Sequence, residues 1–345
     1  MDVKNPRSFI TGLLLELRRN PEHPLICFRE QVITSGQLLY KTYLLVLALR
    51  NFGVRRGDCI GVCMQRGPEQ LAAMLAIWHC GAVFVPLDPQ QPRDRLRQIG
   101  DSANLVFLLT QPELQEPMES LPFALIVVLP ISEDKLGQPS PRDILDTARA
   151  LKPHSPAYLM FTSGSSGPPK GALLSHDNLS LFFTSVQQLW SLPNGLRYLA
   201  AASFSFDISL FELLAPLAYG GTLVLADDNE HRDAQLLLQL IERQRVDVVQ
   251  ATPSLWQLLC NQPWPTTCQP RLAISIGEAL SKGSRNNCCR IVPNCGTSMA
   301  RRNAPYGQLR IVSAPLTSIP PLPPSSASGR PCLATAHKHS MVMNC

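Results

Sequence analysis

The stretch PAYLMFTSGSSGPPKGALLSHDNL, residues 156–179, is the strongest signal in the chain. It opens on an apolar run typical of a buried strand, then passes into hydroxyl residues and glycines, two prolines and Lys170-Gly171. Glycine-rich backbone can curl so that several N–H groups point inward and bind an anion. Because the hydroxyls add donors and the lysine adds a positive charge, this loop is expected to hold a polyphosphate.

The spacing of this loop differs from that of the common P-loop. It reads G-x-x-G-x-x-K-G from Gly164 to Gly171 and lacks the G-K-[ST] ending. A flexible Ser/Gly surface linker is the alternative, but the strand before it, the rigid proline pair and the cationic end favour phosphate binding. The candidate phosphate-binding residues are Thr162, Ser163, Gly164, Ser165, Ser166, Gly167 and Lys170.

Short β-rich runs and helical runs alternate from about residue 25 to 281. GDCIGVCM (57–64) predicts a strand, and PEQLAAMLAIWHCG (68–81) a helix with proline at its start and glycine past its end. Such alternation predicts an α/β fold with parallel-rich sheets covered by helices. Ligands in these folds bind beyond the carboxyl ends of the strands, so the loops that follow strands are the expected site.

Charge and cysteine separate the chain into two parts. Residues 282–345 carry eight Lys or Arg and no acidic residue, and they hold five of the 11 cysteines. Residues 1–281 are slightly acidic, with 23 basic and 26 acidic groups. Neither a secretory signal nor a membrane-spanning apolar run is apparent, so a cytoplasmic protein with reduced cysteines is expected. The tail shows no sustained periodicity, and its composition predicts a disordered or extended segment.

Several motifs in fixed order resemble the adenylate-forming superfamily. FTSGSSGPPKG (161–171) is similar to its phosphate-binding signature, and GAVFVPLDPQQPRDRL (81–96) to a motif of its nonribosomal peptide synthetase branch. SFSFDISLFELLAPLAYGGTLVLAD (203–227), VVQATPSLWQLL (248–259) and ISIGEALS (274–281) resemble the next segments. The resemblance covers about residues 10–281 and implies an incomplete large N-terminal adenylation domain over 1–281, followed by the tail 282–345.

The resemblance implies a reaction and its partners. A carboxylate attacks the α-phosphate of ATP, with Mg²⁺ as cofactor, to give an acyl-adenylate and pyrophosphate. In the peptide synthetase branch the substrate is an amino acid, which passes to the phosphopantetheine thiol of a carrier protein. Neither nucleic acid nor a membrane is expected as a partner. Two alternatives stay open: a non-catalytic remnant that binds nucleotide or a partner protein, and an acyl-CoA ligase for a fatty or aryl acid.

Asp207 matches the family position that pairs with the α-amino group of an amino acid. Its alternative role is a helix N-cap, which is common for aspartate. The resemblance further assigns substrate contacts and nucleotide-proximal positions. The substrate-contact residues are Ile208, Phe211, Gln250, Ala273 and Ser275, and the nucleotide-proximal residues are Gly277 and Glu278. Ile276 stands where the family has a second glycine, which puts the contact at Gly277 in doubt.

The family's next motif, close to LWNLYGPTE, is absent, as are its ribose-binding aspartate and catalytic lysine, so no complete catalytic set and no metal site are expected. The tail instead has CGTSMARRNAPYGQ at 295–308. Read one base earlier, codons allowed for this stretch permit LWNLYGPTECTVWS. We therefore expect a shift of reading frame near residues 281–282, which resequencing the gene would test, and we expect an impaired enzyme.

Zinc binding and nucleic-acid binding are weaker interpretations of the tail. Its cysteines and histidines lack standard zinc spacing, and its basic residues lack an aromatic platform.

Overall fold

The computed structural model describes residues 9–127, 152–162, 169–190, 192–265 and 270–276, with the short pieces 312–313, 335–337 and 340–342. Within these residues the chain forms two sheets and the helices that cover them. The helices are α1 Phe9–Arg19, α2 Ser35–Asn51, α3 Pro68–His79, α4 Arg93–Ser102, α5 Pro112–Glu119, α6 His176–Trp190, α7 Ser209–Ala218, α8 Ala234–Arg243 and α9 Pro253–Cys260. A 3-10 turn spans Glu230–Arg232.

The first sheet collects strands from both ends of the described chain. Its strands are β1 Pro24–Phe28, β2 Gln31–Thr34, β9 Arg197–Ala200, β10 Thr222–Leu225, β11 Val248–Ala251, β12 Leu272–Ser275 and β13 Val312–Ser313. Their order among the described residues is β13-β12-β11-β9-β10-β1-β2. All neighbours run parallel except the β1–β2 hairpin. The carboxyl ends of β9 to β12 therefore lie along one edge.

The second sheet has a parallel centre and an antiparallel flank. Its strands are β3 Cys59–Cys63, β4 Val83–Leu87, β5 Leu105–Thr110, β6 Ala124–Val127, β7 Pro156–Thr162, β8 Lys170–Ser175, β14 Thr335–His337 and β15 Ser340–Val342. Their order among the described residues is β14-β15-β8-β7-β4-β3-β5-β6. Strands β7, β4, β3, β5 and β6 run parallel, whereas β8 returns antiparallel to β7.

Three hydrophobic clusters define the layers. The largest lies between the two sheets and includes the Phe9–Phe183 stack, with ring centroids 5.0 Å apart. Helices α8 and α9 cover the outer face of the first sheet, and α4 and α5 that of the second. The chain thus has five layers in the order helix, sheet, helix, sheet, helix, which confirms the predicted α/β fold with parallel-rich sheets.

The described pieces of the tail are short strands: β13 pairs with β12, and β15 pairs with β8. β-forming residues such as Val312 and Met341 therefore pair with the edges of the sheets. The domain boundary near residue 281 and the disordered or extended tail stay predictions. The rest of 282–345, including the 295–308 stretch, lies outside the described residues, so the frame-shift hypothesis stays a prediction.

Among the described residues, no helix combines the length and the apolar composition that a bilayer crossing requires.

Candidate functional site

The two ends of the predicted phosphate loop meet in the β7–β8 hairpin. Thr162 and Lys170 are direct partners in the antiparallel register. Residues 163–168, which include Ser163, Gly164, Ser165, Ser166 and Gly167, lie outside the described residues. Lys170 is exposed, so its ammonium is free to meet a ligand at the mouth of this loop. A cation at the end of a glycine- and hydroxyl-rich loop fits the phosphates of a nucleotide.

The position after Lys170 requires a residue without a side chain, and Gly171 occupies it. A Cβ atom at this position would lie 2.8 Å from Leu159 Cδ1 and 3.1 Å from Phe161 Cε1. Leu159 and Phe161 belong to the cluster on the outer face of the second sheet. The glycine therefore lets β8 pack closely against the side chains of β7 directly after Lys170.

Asp207 lies in the loop between β9 and α7, beyond the carboxyl end of β9. The helix N-cap is Ile208 and has no side-chain capping bond, so the alternative capping role of Asp207 is not observed. Asp207 is exposed as a residue, yet the protein atoms around its carboxyl desolvate it and raise its pKa. The N–H groups of Asp207 and Ile208 oppose this shift by hydrogen bonding to the carboxylate.

No salt bridge joins Asp207 to a cation within the described ranges. The pKa of the Tyr158 phenol on β7 is raised, mainly by burial and to a smaller extent by the negative charge of Asp207. A partly desolvated carboxylate without a cationic partner favours an ammonium ligand.

Ile208, Phe211 and Gln250 come together on the inner face of the first sheet. Phe211 is 3% exposed and packs in the large core, and Ile208 packs against the same core. Gln250 Nε2 donates to the carbonyl oxygen of Ile208 at 2.9 Å and to Glu212 Oε1 at 3.1 Å. Gln250 therefore uses its donors within the protein, and it braces the start of α7 instead of pointing freely at a ligand.

Ala273 and Ser275 do not share this face. Ala273 packs in the outer cluster with Leu237 and Trp256, under α8 and α9. Strand alternation places Ser275 on the same side as Ala273, and its buried Oγ has no hydrogen-bond partner among the described residues. The assignment of Ala273 and Ser275 as substrate contacts, which rests on the family resemblance, stays a prediction.

Ile274 of β12 and Ile276 just after it do share the inner face. Ile274 is the direct register partner of Gln250 in the parallel β11–β12 pair. Both isoleucines belong to the large core together with Phe211. Side chains alternate between the two faces of the sheet along β12. This alternation would have placed Ile274 on the inner face once Gln250 was known to face inward. Gly277 and Glu278 lie outside the described residues.

Glu212 and Arg66 are buried charges that the sequence patterns did not single out. Glu212 Oε2 accepts the backbone N–H groups of Ala201 and Ala202, each at 2.9 Å. Burial raises the pKa of Glu212 to about 7, although these donors, Gln250 and the charge of Arg66 pull it down. A single carboxylate in the apolar run SLFELLAPLA (209–218) was the signal that could have found it.

Arg66 reaches from the loop after β3 to the carboxyl edge of the other sheet. Its Nη2 and Nη1 donate to the carbonyl oxygens of Ala200 and Ala202 at 2.9 and 2.7 Å. Its Nε donates to the carbonyl oxygen of Ala226 at 2.9 Å. One guanidinium therefore joins the two sheets at the edge where the candidate site lies.

A cavity of about 330 Å³ lies beside this edge, where β3, β4, β9 and β10 end. Its polar lining includes Arg66, Gln70, Asp88, Ser203, Ser205 and His231. Neither Asp207 nor Lys170 lines it, so it is distinct from the face that holds Phe211 and Gln250. Within the part of the chain that the structure describes, no group of three or more His, Cys, Asp or Glu is arranged to hold a metal ion.

Known proteins match both this sequence and this fold. The family model described as AMP-binding enzyme matches residues 15–298. The PKS-NRPS hybrid synthetase acdB of Aspergillus candidus is 33% identical over 261 residues, which is 75% of this chain and 10% of that protein. Pyochelin synthetase PchE of Pseudomonas aeruginosa is 31% identical over 257 residues, 74% of this chain and 17% of that protein.

Two solved structures show the same architecture. The nonribosomal peptide synthetase FmoA3 in its AMPPNP-bound form has a TM-score of 0.74 at 25% identity, covering 91% of this chain and 32% of that one. The four-domain synthetase AB3403 bound to AMP and glycine has a TM-score of 0.71 at 25% identity, covering 83% of this chain and 21% of that one. The chain thus spans a small part of these relatives.

The AMP-binding enzyme family consists of ATP-dependent adenylate-forming ligases. The chain therefore belongs to the AMP-binding enzyme family, within the adenylation domains of nonribosomal peptide synthetases.

Proposed function

We propose that this chain is part of an adenylation domain that binds ATP and an amino acid, and that the intact domain joins them as an aminoacyl-adenylate. In that reaction a carboxylate oxygen of the amino acid bonds to the α-phosphorus of ATP, and pyrophosphate leaves. ATP supplies the leaving group, and Mg²⁺ neutralises phosphate charge. Within the chain, Thr162 to Gly167 and Lys170 would hold the β- and γ-phosphates.

The proposal of an amino-acid substrate rests on the environment of the Asp207 carboxylate. Its carboxylate is partly desolvated and has a raised pKa, and it has no salt bridge among the described residues. An α-ammonium group would supply the missing charge partner, with Ile208 and Phe211 nearby for an uncharged side chain. A fatty or aryl acid would leave the carboxylate without a partner, so that alternative is less favoured.

The family's adenine-packing, magnesium-binding, ribose-binding and catalytic-lysine motifs are not recognisable after residue 281. We therefore propose that the chain binds its ligands with little or no turnover, and that transfer to a phosphopantetheine thiol on a carrier protein belongs to an intact relative. A remnant that binds nucleotide without catalysis is the second candidate, and the exposed Lys170 at the loop mouth is the observation that favours it.

Calorimetry and pyrophosphate exchange test this proposal together. The chain is titrated with ATP, and then with individual amino acids in the presence of ATP. Binding of ATP and of an amino acid with little pyrophosphate exchange supports the proposal. Absence of ATP binding by the folded chain would overturn it, and robust exchange would overturn the claim of impairment.

A further inference from the structure

The segment Ala200–Ala202 is held on both of its hydrogen-bonding sides. Its carbonyl oxygens at Ala200 and Ala202 accept from the guanidinium of Arg66. Its N–H groups at Ala201 and Ala202 donate to the carboxylate of Glu212. Four backbone groups in three consecutive residues are thus bound by two buried side chains of opposite charge.

The two side chains come from different layers. Arg66 follows β3 in the second sheet and is 8% exposed, whereas Glu212 lies in α7 between the sheets and is 2% exposed. The charges also attract each other, since Arg66 and Glu212 shift each other's pKa toward the ionised forms. Removing either Arg66 or Glu212 would leave the other buried charge with fewer partners, which costs free energy in a protein interior.

The held segment leads directly into the loop that carries Asp207. From Ala202 the chain passes through Ser203 and Phe204, whose ring lies 5.7 Å from Arg66 Cζ, and reaches Asp207 just before α7. Gln250 secures the far end of the loop through the carbonyl of Ile208, and it also contacts Glu212. Both ends of the loop are therefore bound to one connected polar group.

We propose that Arg66 and Glu212 are positioning residues that hold Ala200–Ala202 as a clamp and thereby set the location of the Asp207 loop. The benefit to amine binding rests on the proposed function, but the clamp itself does not. Arg66 and Glu212 act through the backbone of this segment. Loss of either one is expected to loosen residues 201–207 before it loosens the sheets.

Hydrogen exchange of the full chain tests the clamp. Above pH 7, where Glu212 is ionised, the neutral amide of Glu212→Gln replaces a carboxylate, so one side of the clamp weakens while the shape of the side chain is kept. We expect exchange in a peptide covering residues 199–208 to rise roughly ten- to hundredfold. Peptides covering β4 and α8 should exchange as in the wild type.

Glu230→Gln is the matched control. Glu230 also accepts a backbone N–H, that of Asp227 at 3.0 Å, and it also pairs with an arginine, Arg243 at 2.9 Å. Its partners Asp227 and Arg243 lie outside residues 199–208, so exchange at 199–208 should stay at the wild-type rate. Arg66→Lys keeps the charge but loses the paired hydrogen bonds to the carbonyl oxygens of Ala200 and Ala202, so it should raise exchange at 199–208. This variant tests the clamp if Glu212→Gln does not fold.

Binding measurements distinguish loss of the clamp from general destabilisation of the chain. Glu212→Gln should weaken the binding of the preferred amino acid about tenfold and leave ATP binding unchanged, because only the loop of Asp207 is loosened. Wild-type exchange at 199–208 in both Glu212→Gln and Arg66→Lys would overturn the clamp, as would an increase spread evenly over both sheets. If the wild type binds no amino acid, the proposed function fails while the exchange experiment still decides the clamp.

Discussion

Gln250 Nε2 lies 2.9 Å from the carbonyl oxygen of Ile208, so the end of β11 is bonded to the start of α7. The same nitrogen lies 3.1 Å from Glu212 Oε1. Family resemblance assigns Gln250 to substrate contact, but both of these bonds are internal. A residue of the predicted pocket therefore contributes to the position of the pocket wall.

Gln250→Leu should destabilise the chain. Leucine keeps a similar volume but removes the donor to Ile208 and Glu212, and both acceptors lie in largely buried surroundings. We expect a loss of about 1–3 kcal/mol in the free energy of unfolding, measured by urea denaturation. Gln257→Leu on the exposed side of α9 is a control that should change stability little. Equal stability of Gln250→Leu and the wild type would show that the bonds to Gln250 contribute nothing net.

Lys170→Ala should weaken ATP binding without affecting the fold. The side chain is exposed, so its removal leaves no cavity, whereas a phosphate would lose a charge-assisted hydrogen bond. We expect roughly a ten- to hundredfold rise in the Kd for ATP, measured by calorimetry. Lys152→Ala, an exposed lysine just before β7, is the matched control. Equal weakening by both variants would point to net charge instead of a specific phosphate contact.

His176 should make the chain less stable in acid. Its ring is buried against Trp78, with centroids 5.6 Å apart, and neither nitrogen has a hydrogen-bond partner within the described residues. Burial lowers its pKa from 6.5 to about 4. The unfolded chain therefore binds a proton below pH 6.5 that the folded chain does not bind until about pH 4, so the contribution of His176 to stability falls over this window as the pH decreases.

The shift in the pKa of His176 sets the size of this effect. It corresponds to at most about 3 kcal/mol in the free energy of unfolding at the acid end of the window. His176→Gln keeps a polar side chain of similar size but cannot titrate. Urea unfolding at several pH values should show a smaller stability loss between pH 6.5 and 4 in the variant than in the wild type. Identical pH profiles would contradict the burial of a neutral ring.

Glu212 should have the opposite pH dependence. Burial raises its pKa from 4.5 to about 7, so the folded chain keeps a proton that the unfolded chain releases. The stability contributed by this proton is present below pH 4.5 and is lost as the pH rises to 7. Since this trend opposes that of His176, the wild type should change little between pH 5 and 6.5. Glu212→Gln should reveal the rising profile of His176, and a flat profile in this variant would refute the assignment.

Much of the fold follows from local sequence. Pro68 at the start of α3 and Gly81 just past its end were predicted from the pattern and are observed there. Apolar runs also predicted the buried strands, because parallel strands covered on both faces are apolar throughout. The same uniformity hides which face of the sheet each side chain lies on, so the apolar run does not show that Ile274 and Ile276 pack in the large core while Ala273 packs in the outer cluster.

Long-range pairing was beyond local reasoning. β1 joins β10 in parallel through Ile26 and Leu223, and no local pattern shows which of the two sheets a given strand enters. The clamp is hidden for the same reason, since Arg66 and Glu212 meet one backbone segment from positions far apart in the chain. Asp207 could be proposed from sequence because its motif is local, whereas Arg66 lies far from it along the chain.

The most direct test compares ligands that differ only in the α-amino group. The wild type and Asp207→Asn are titrated, in the presence of ATP, with the preferred amino acid and with the same carboxylic acid lacking the amine. We predict that the wild type binds the amino acid at least about tenfold more tightly, and that Asp207→Asn loses most of this preference. Equal binding of the two ligands by the wild type would contradict the assignment of Asp207 as the partner of an amino-acid ammonium group.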